Sequence, residues 1–180
     1  MISCIVACDD SWGIAAQGEI PWLLRKDLRF FQQVTTATAV GSKLKNACIM
    51  GRKTWESIPS TKRPLKGRHN IVLSRRETLD LPSGVLHARS LLEAFELAQA
   101  LPVETSFVIG GESLYKEALS YCDVLYITHV RGHYLCDTFF PEPEGFEEIY
   151  SSSLNQEGKH TYCFKTYQRK DRNELFRNEI

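Results

Sequence analysis

Short apolar runs rich in β-branched residues recur along the first 130 residues, and segments with helical periodicity separate several of them. Apolar runs of this length are typical of buried strands, and spacing of i, i+3 and i+4 is typical of amphipathic helices. The predicted strands cover residues 2–8, 47–50, 70–73, 106–109 and 124–130. The predicted helices cover residues 24–35, 54–58, 90–101 and 112–121. This alternation favours an α/β fold, in which helices cover both faces of a central, twisted and mostly parallel sheet.

The pattern changes after Pro141. Residues 146–154 and 161–168 are strand-like, and residues 155–160 between them contain a glycine. Two such runs joined by a short glycine-containing segment indicate a hairpin, so we predict an antiparallel C-terminal edge to the sheet. Residues 170–180 are mostly charged, and the pattern leaves the order of this tail open.

Composition indicates one domain, residues 1–180. A chain of 180 residues with 43% hydrophobic residues can bury one sizeable core but is short for two ordinary domains. The 22 Lys and Arg residues balance 22 Asp and Glu residues. Overall charge therefore gives no reason to expect nucleic acid or an anionic membrane as a partner.

The cysteines and the N-terminus indicate a reducing compartment. The six cysteines are scattered, without a C-x-x-C pair or a histidine at zinc spacing, so we interpret them as buried free thiols and expect no metal site. The first ten residues lack the basic region of a signal peptide, and their apolar run is too short to span a membrane. No N-x-[ST] sequon occurs. We therefore expect a cytoplasmic protein.

Asp27 is the first candidate for chemistry. Helical spacing places it on the same face as Leu24, Leu28 and Phe31, which puts a carboxylate in an apolar stripe. One interpretation is an acid in the first turn of a helix, where the macrodipole favours a negative charge. The other is a partly desolvated acid that lines a pocket and binds or protonates a ligand.

Two strand-to-helix turns, residues 50–55 and 108–115, are suited to aiming backbone N–H groups at a phosphate. Neither matches G-x-x-x-x-G-K-[ST] or G-x-G-x-x-G, so a plain tight turn is the alternative for each. Residues 62–76 contain six basic residues and no acid. This stretch is either a solvated basic face or a pair of arginine clamps for a carboxylate and a phosphate monoester.

With these features the chain resembles the dihydrofolate reductase family, from residue 2 to about residue 168. The matching motifs are Ile5-Val6-Ala7, Trp12-Gly13-Ile14, Gly18-Glu19-Ile20-Pro21-Trp22, Asp27 with Phe31, Tyr115, and residues 49–59, 63–68, 71–75, 108–111, 126–129 and 137–141. The resemblance implies a monomeric enzyme that reduces 7,8-dihydrofolate to tetrahydrofolate for one-carbon metabolism and binds antifolate-like molecules. In the implied reaction, a hydride moves from C4 of NADPH to C6 of dihydrofolate, and N5 gains a proton through a water.

The resemblance also implies a set of substrate-binding residues. Asp27 would hydrogen-bond the pterin ring as the catalytic acid, with Thr128 supporting it and Trp22 holding an ordered water. The backbone carbonyls of Ile5 and Ile109 would face the pterin amino group. The other implied substrate contacts are Val6, Leu28, Phe31, Gln32, Ile58, Leu65, Tyr115, and Arg68, which would grip the α-carboxylate of the glutamate tail.

The implied cofactor is NADPH. The residues expected at its phosphates are Arg52, Lys53 and Thr54, with Ser74, Arg75, Arg76 and Arg89 at the adenosine 2′-phosphate. The residues expected around the nicotinamide and the diphosphate are Ala7, Gly13, Ile14, Gly18, Glu19, Gly110, Gly111, Glu112, Ser113, Leu114 and Tyr115. The resemblance further implies a cis peptide bond between Gly110 and Gly111.

The chain departs from the family pattern in the mobile loop over the nicotinamide. Ala15 stands where glycine is usual, and Ile20 stands where Leu or Met is usual. Because alanine does not adopt a positive φ cheaply, loop closure and product release are the properties that this substitution calls into question.

Two other functions fit parts of the sequence. One is a related nicotinamide reductase for another heterocycle, such as the pyrimidine reductase of riboflavin synthesis, although Asp27 with Phe31 and residues 63–68 argue against it. The other is a nucleic-acid-binding module that uses residues 62–76. In some lineages the reductase is fused to thymidylate synthase. Because this chain ends soon after the last predicted strand, we expect no such domain.

Overall fold

The computed structural model describes residues 1–170; the predicted charged tail lies almost wholly outside this range. The strands are β1 Ile2–Cys8, β2 Gly13–Ala15, β3 Lys45–Gly51, β4 Arg68–Leu73, β5 Val85–Ala88, β6 Val103–Val108, β7 Val124–Val130, β8 Thr138–Phe139, β9 Phe146–Ser151, β10 Asn155–Glu157 and β11 His160–Arg169. The α-helices are α1 Arg25–Thr36, α2 Arg52–Ser57, α3 Leu91–Gln99 and α4 Glu112–Ala118, with short 3-10 turns at Ser60–Lys62 and Leu119–Tyr121.

One large sheet organises the chain, in the order β10-β11-β7-β1-β6-β3-β4-β5, with β9 also pairing with β11. The six strands from β7 to β5 in this order run parallel, whereas β11 is antiparallel to β7, β9 and β10. The predicted α/β class and the antiparallel C-terminal edge are therefore confirmed.

Helices cover both faces of the sheet. Successive residues of a strand point to opposite faces, so a strand that is apolar throughout must be covered on both sides. On β3, Ala47 and Ile49 belong to the core beneath α3 and α4. Cys48 and Met50 belong to a second core that includes Trp55 of α2, with Phe31 of α1 packed against it. The sheet is thus buried from both sides, as its continuous apolar strands require.

Three features of the sheet were absent from the sequence prediction. Strand β5 has four residues after a turn-forming stretch, too few to show a clear pattern. Strands β2 and β8 pair only with each other, in a separate two-stranded ribbon. The predicted C-terminal hairpin had the wrong bounds: β9 ends at Ser151, and the expected connection contains β10, which pairs with β11 around Gly158.

The cysteine interpretation is largely confirmed. All six are free thiols; five are buried and Cys136 is half-buried. The Cys4 and Cys122 sulfurs lie 3.2 Å apart without a covalent bond. Within residues 1–170, no three His, Cys, Asp or Glu side chains are arranged to hold a metal, and no helix is long and apolar enough to span a membrane.

Helix α1, which carries Asp27, is fixed at its C-terminal end by one buried amide. The Asn46 side-chain nitrogen donates to the carbonyls of Thr35 (3.2 Å) and Ala37 (2.7 Å), and its oxygen accepts from the Thr105 N–H (3.1 Å). Asn46 is 1% exposed, and Thr35 and Thr105 are buried as well, so solvent would not replace the bonds to these two residues. The amide therefore joins α1 to two neighbouring strands.

We expect Asn46→Ala to lower the free energy of unfolding by about 2–4 kcal/mol, because it leaves the buried Thr35 carbonyl and the buried Thr105 N–H unsatisfied. Urea denaturation measures this loss. The control is Gln33→Ala, which truncates an exposed amide on α1 and should change stability by less than about 0.5 kcal/mol. Equal effects of the two substitutions would show that the Asn46 bonds do not anchor the helix.

Candidate active site

Most of the candidate site residues gather at the edge where the parallel strands end, whereas Arg68 begins β4 and therefore lies at the amino end of that strand. The carboxyl ends of β1, β3, β4, β5, β6 and β7 lie together at that edge because these strands share one direction. The chain runs outward from β1 to β5, returns to β6, and then crosses to β7 on the other side of β1. Ligands of open α/β sheets bind at the carboxyl edge where strand order reverses in this way.

Asp27 lies in the first turn of α1 and faces β7. The Thr128 hydroxyl donates to the Asp27 Oδ1 at 2.6 Å, and Thr128 itself is 1% exposed. Burial raises the pKa of Asp27, the Thr128 hydrogen bond lowers it in part, and the negative charge of Glu157 raises it further. The two interpretations of Asp27 are therefore compatible: the acid occupies a first helical turn and is also partly desolvated.

Trp22 is buried just before α1, and its indole stands at 76° to the Tyr134 ring, with 5.0 Å between centroids. The indole Nε1 is buried and bonds to no protein group within residues 1–170. A buried N–H of this kind is suited to donating to a bound water or ligand.

Tyr115 closes the floor of the site beneath β1 and β6. Its hydroxyl donates to the Ile5 carbonyl at 2.8 Å, and burial raises the pKa of this phenol. The ring packs against Gly110, where an added Cβ would lie 3.3 Å from Tyr115 atoms. The Ile5 carbonyl, expected to face the substrate, thus already accepts one hydrogen bond from the protein.

Apolar side chains continue from Asp27 along α1. Leu28 is 57% exposed although it belongs to the apolar stripe, and Phe31 behind it is half-buried. Phe31, Ile58 and Ile109 pack around the core that contains Leu65. This surface is suited to flat rings. Of the other implied substrate contacts, Gln32 is exposed, and the Val6 side chain lies in the core on the opposite face, so only its backbone can reach the site.

Arg68 is held by protein groups that carry no charge. Its guanidinium donates to the Thr35 hydroxyl at 2.7 Å and to the Lys66 carbonyl at 3.1 Å, and it lies 5.7 Å from the centroid of the Phe31 ring. In the described part of the chain it forms no ion pair with a carboxylate. A guanidinium fixed in this way is suited to binding an anionic ligand group.

The basic stretch is not one solvated face. Arg63 donates to the Trp55 carbonyl at 2.8 Å and lies 5.2 Å from the Trp55 ring centroid. Arg63 and Arg68 therefore turn toward the protein, while Arg75 and Arg76 are exposed at the far end of β4.

The two glycine turns meet side by side. The Gly51 N–H donates to the Gly110 carbonyl at 2.7 Å, and the peptide bond between Gly110 and Gly111 is cis, as the resemblance implies. A Cβ on Gly51 would lie 3.7 Å from this peptide, and one on Gly111 would lie 3.6 Å from the Thr54 hydroxyl. No described side chain caps the N-terminus of α2 or α4, which leaves backbone N–H groups to receive anionic oxygens.

Several other side chains expected at the phosphates are already engaged by other protein groups. Arg52 pairs with Glu56 on its own helix at 2.7 Å, and the Leu114 side chain lies in the core, so Leu114 can contribute only backbone. Glu112 pairs with Lys116 at 2.9 Å. Lys53 and Ser113, by contrast, are exposed.

Four residues expected at a 2′-phosphate lie at the ends of two adjacent strands. Leu73 of β4 pairs with Ala88 of β5, so Ser74 and Arg89 follow at the same level of the sheet. The Ser74 N–H donates to the Ala88 carbonyl at 3.0 Å. Among the described residues, the guanidinium groups of Arg75, Arg76 and Arg89 form no ion pairs.

The loop after β1 runs across the front of the site. Ala15 lies in strand β2. Within the described residues, the non-glycine residues at positive φ are Trp12, Gln17 and Leu135, so Ala15 carries no such strain. Gly13 is needed for another reason, since a Cβ there would lie 2.5 Å from the Cys136 Cβ. Gly18 and Glu19 are exposed in the turn beyond β2, Ile14 is half-buried, and the half-buried Ala7 packs beside Trp22.

Sequence reasoning missed two carboxylates that organise this region. Asp9 is 2% exposed and accepts from the N–H groups of Ser11 (2.9 Å), Gly13 (2.8 Å) and Tyr134 (3.0 Å). Glu157 accepts from two N–H groups at the start of α1. The Asp9 bonds to Ser11 and Gly13 are local, of the kind that an aspartate favours in a turn. The Asp9 bond to Tyr134 and the Glu157 bonds to α1 have no local sequence signal, because they join segments far apart in the chain.

These features describe an α/β protein with a ligand site at the carboxyl edge of its sheet. The chain belongs to the dihydrofolate reductase family, whose profile matches residues 1–169. It is 40% identical over 187 residues to the dihydrofolate reductase of Rattus norvegicus, covering 94% of this chain and 98% of that protein. It is 41% identical over 150 residues to that of Drosophila melanogaster, covering 81% of this chain and 82% of the fly protein.

Bifunctional plant proteins match as well. The chain is 44% identical over 175 residues to the bifunctional dihydrofolate reductase-thymidylate synthase of Daucus carota, covering 92% of this chain. The match spans 33% of the carrot protein.

Asp27→Asn should stabilise the protein at neutral pH by about 1 kcal/mol. Because the pKa of Asp27 is raised on folding, the folded state holds its proton more tightly than the unfolded state. The stability of the parent therefore falls as pH rises from the unfolded pKa through the folded pKa, and the neutral amide avoids this loss. Urea denaturation between pH 3 and pH 8 measures the difference. Below the unfolded pKa, about 3.9, the gain should vanish, and the exposed control Asp80→Asn should show no such trend.

Proposed function

We propose that the protein is a dihydrofolate reductase, which uses NADPH to reduce 7,8-dihydrofolate to 5,6,7,8-tetrahydrofolate. One observation carries this proposal: the Asp27 carboxylate, 2.6 Å from the Thr128 hydroxyl, forms the polar end of an apolar surface in a chain of this family. A partly desolvated carboxylate beside a flat apolar surface suits a heterocycle that offers N–H donors and gains a proton during reaction.

Asp27 accepts hydrogen bonds from the pterin ring and fixes its tautomer, while Thr128 fixes the orientation of the carboxylate. The Trp22 indole N–H holds a water beside this pair, which is consistent with its buried and unpartnered Nε1. Asp27 does not reach N5 across the ring, so a water delivers the proton, and the ionised carboxylate favours the protonated pterin.

The opposite end of the substrate is an anionic tail. Arg68 binds its α-carboxylate through the face of the guanidinium fork that Thr35 and Lys66 leave open. Leu28, Phe31, Ile58 and Leu65 pack the rings between the two polar ends. Asp27 and Arg68, the polar groups at the two ends of this apolar surface, thereby select a long molecule with one heterocyclic and one anionic end.

The cofactor site is the edge formed by β3, β6, β4 and β5. NADPH, when bound, supplies the hydride. The N–H groups at the starts of α2 and α4 bind its diphosphate. Because Gly51, Gly110 and Gly111 carry no Cβ, the diphosphate has room to approach the backbone where the two glycine turns meet. Ser74, Arg75, Arg76 and Arg89 bind the 2′-phosphate. Residues of the loop after β1, among them Gly13, Ile14, Gly18 and Glu19, exclude water from the reacting rings.

The protein acts as a cytoplasmic monomer that supplies one-carbon metabolism and binds antifolate-like molecules. The scattered cysteines, without a C-x-x-C pair, support the compartment.

Absorbance at 340 nm should fall when the protein meets dihydrofolate and NADPH, and the kcat/KM for NADPH should greatly exceed that for NADH. Arg75→Ala should reduce this preference about tenfold or more, since a charge-assisted bond to the 2′-phosphate contributes roughly 1.5–3 kcal/mol. Lys43→Ala, an exposed substitution elsewhere on the surface, is the matched control. Equal kcat/KM values for the two cofactors in the parent protein would refute the assignment of the 2′-phosphate site.

Arg68→Leu should raise the KM for dihydrofolate about 10-fold to 100-fold while changing kcat and the KM for NADPH little. The reason is that the tail contact lies far from the reacting atoms and is nearly equal in the ground and transition states. Steady-state kinetics with each substrate varied in turn measure the split. Lys62→Leu removes an exposed positive charge from the same basic stretch and should leave all three constants unchanged. A large kcat defect at constant KM would contradict the assigned role.

A further inference from the structure

Helix α1 begins without a capping side chain of its own. Leu24 precedes the first helical residue and has no polar group to accept the free N–H groups. Glu157, which ends β10 and is far from α1 in the sequence, serves as the cap instead. Its Oε1 accepts from the Arg25 N–H at 2.8 Å, and its Oε2 accepts from the Lys26 N–H at 3.3 Å. The helix that presents Asp27 is therefore capped by the C-terminal hairpin.

The hairpin holds this carboxylate firmly. Glu157 pairs with His160 across the β10–β11 turn, and the Tyr162 hydroxyl donates to the Glu157 Oε2 at 3.2 Å. The Lys26 ammonium donates to the Asn155 side chain at 3.3 Å, which makes a second link between α1 and β10. Phe30 of α1 also stacks on Phe164 of β11, with 4.2 Å between ring centroids.

The same hairpin is joined to the other side of Asp27. Phe164 of β11 pairs with Thr128 of β7, whose hydroxyl donates to the Asp27 carboxylate. Asp27 is thus positioned from two directions, by β7 directly and by β10 through the first helical turn. A shift of the hairpin would change both contacts at once.

Charge reinforces this geometry. The titratable and charged groups around Asp27 are Arg25, Lys26 and Arg29 on its own helix, Tyr115 on α4, Tyr162 on β11 and Glu157 on β10. Arg25, Lys26 and Arg29 are exposed. Tyr162 stays neutral at physiological pH, because burial and Glu157 raise its pKa to about 12, and burial likewise raises the pKa of Tyr115. Glu157 contributes negative charge that disfavours the ionised form of Asp27.

We propose that Glu157 is a positioning residue for Asp27, acting on the substrate-binding carboxylate through the first turn of α1 and through its own negative charge. The proposal rests on the proposed function in so far as Asp27 binds the substrate. It assigns to the C-terminal hairpin a part in the pH response of the site.

Two substitutions separate the geometric part from the electrostatic part. Glu157→Gln keeps a side-chain oxygen that can accept from the Arg25 N–H and removes the charge. Glu157→Ala removes both. The control is Glu148→Gln, which neutralises a carboxylate on the neighbouring strand β9 that pairs with Lys165 at 2.8 Å and does not contact α1.

Glu157→Gln should move the titration of Asp27 to lower pH by roughly 0.3–0.5 unit, the shift expected from removing a partly screened charge. The carboxyl carbon resonance of Asp27, identified by its loss in Asp27→Asn, measures this titration without any substrate. The same displacement should appear in the pKa that kcat/KM for dihydrofolate reports for the free enzyme. Glu157→Ala should in addition raise the KM for dihydrofolate about fivefold, the effect of losing a helix cap, and leave the KM for NADPH unchanged.

An unchanged Asp27 titration in Glu157→Gln would overturn the proposal, as would an equal shift in Glu148→Gln. If Glu157→Ala fails to fold, the glutamine variant still decides the matter, because it can keep the cap bond to the Arg25 N–H. A protein that does not reduce dihydrofolate would refute the proposed function instead, and the substrate-free titration would still test Glu157.

Discussion

The site depends on keeping one carboxylate partly out of water. Burial disfavours the ionised form of Asp27, and the Thr128 hydroxyl offsets part of that cost with a short hydrogen bond from the central sheet. A charge in such a place is stable only if its surroundings cannot relax to let water in. The elements around it are accordingly fixed by specific bonds. Glu157 holds the first turn of α1, and Asn46 holds its last turn. The helix is therefore a rigid support for its acid.

The sheet supplies the second requirement, which is to bring groups from distant parts of the chain to one edge. Parallel strands end on the same side, so β3 and β6 deliver two glycine turns that contact each other through Gly51 and Gly110. The same geometry places Ser74 beside Arg89 at the ends of β4 and β5. An antiparallel sheet would have sent half of these groups to the opposite edge. The antiparallel hairpin is confined to the side of the sheet where it packs against α1.

Sequence patterns predicted the parts of the fold that depend on local periodicity. The five apolar strands and four helices all occur, and the acid in the apolar stripe of α1 is indeed partly desolvated. Strand β10 was not predicted, because Asn155-Gln156-Glu157 is polar and its pairing depends on backbone bonds to β11. The ion pair of Arg52 with Glu56 could be predicted from the sequence, since i, i+4 spacing on a helix favours such pairs. The contact of Glu157 with Arg25 could not be predicted, because nothing local in either segment specifies it.

The loop after β1 shows how irregular backbone is fixed without a glycine at position 15. Three aspartates accept hydrogen bonds from backbone N–H groups of this loop or of the segment that faces it. Asp9 accepts from the Gly13 N–H within the loop. Asp10 accepts from the Gly132 N–H, and Asp137 accepts from the Gln17 N–H, each at 2.7 Å. Backbone donors that regular structure would have paired are thereby satisfied.

These loop bonds also distinguish two kinds of acid, Asp137 beside the loop and Asp27 in the candidate site. The Gln17 N–H bond lowers the pKa of Asp137, so this carboxylate keeps its charge to a lower pH than an ordinary aspartate does. Burial moves the pKa of Asp27 in the opposite direction. Asp27 therefore titrates closer to neutrality than Asp137. A fall in pH protonates Asp27 before Asp137, so the Asp137 contact with the loop outlasts the charge on Asp27.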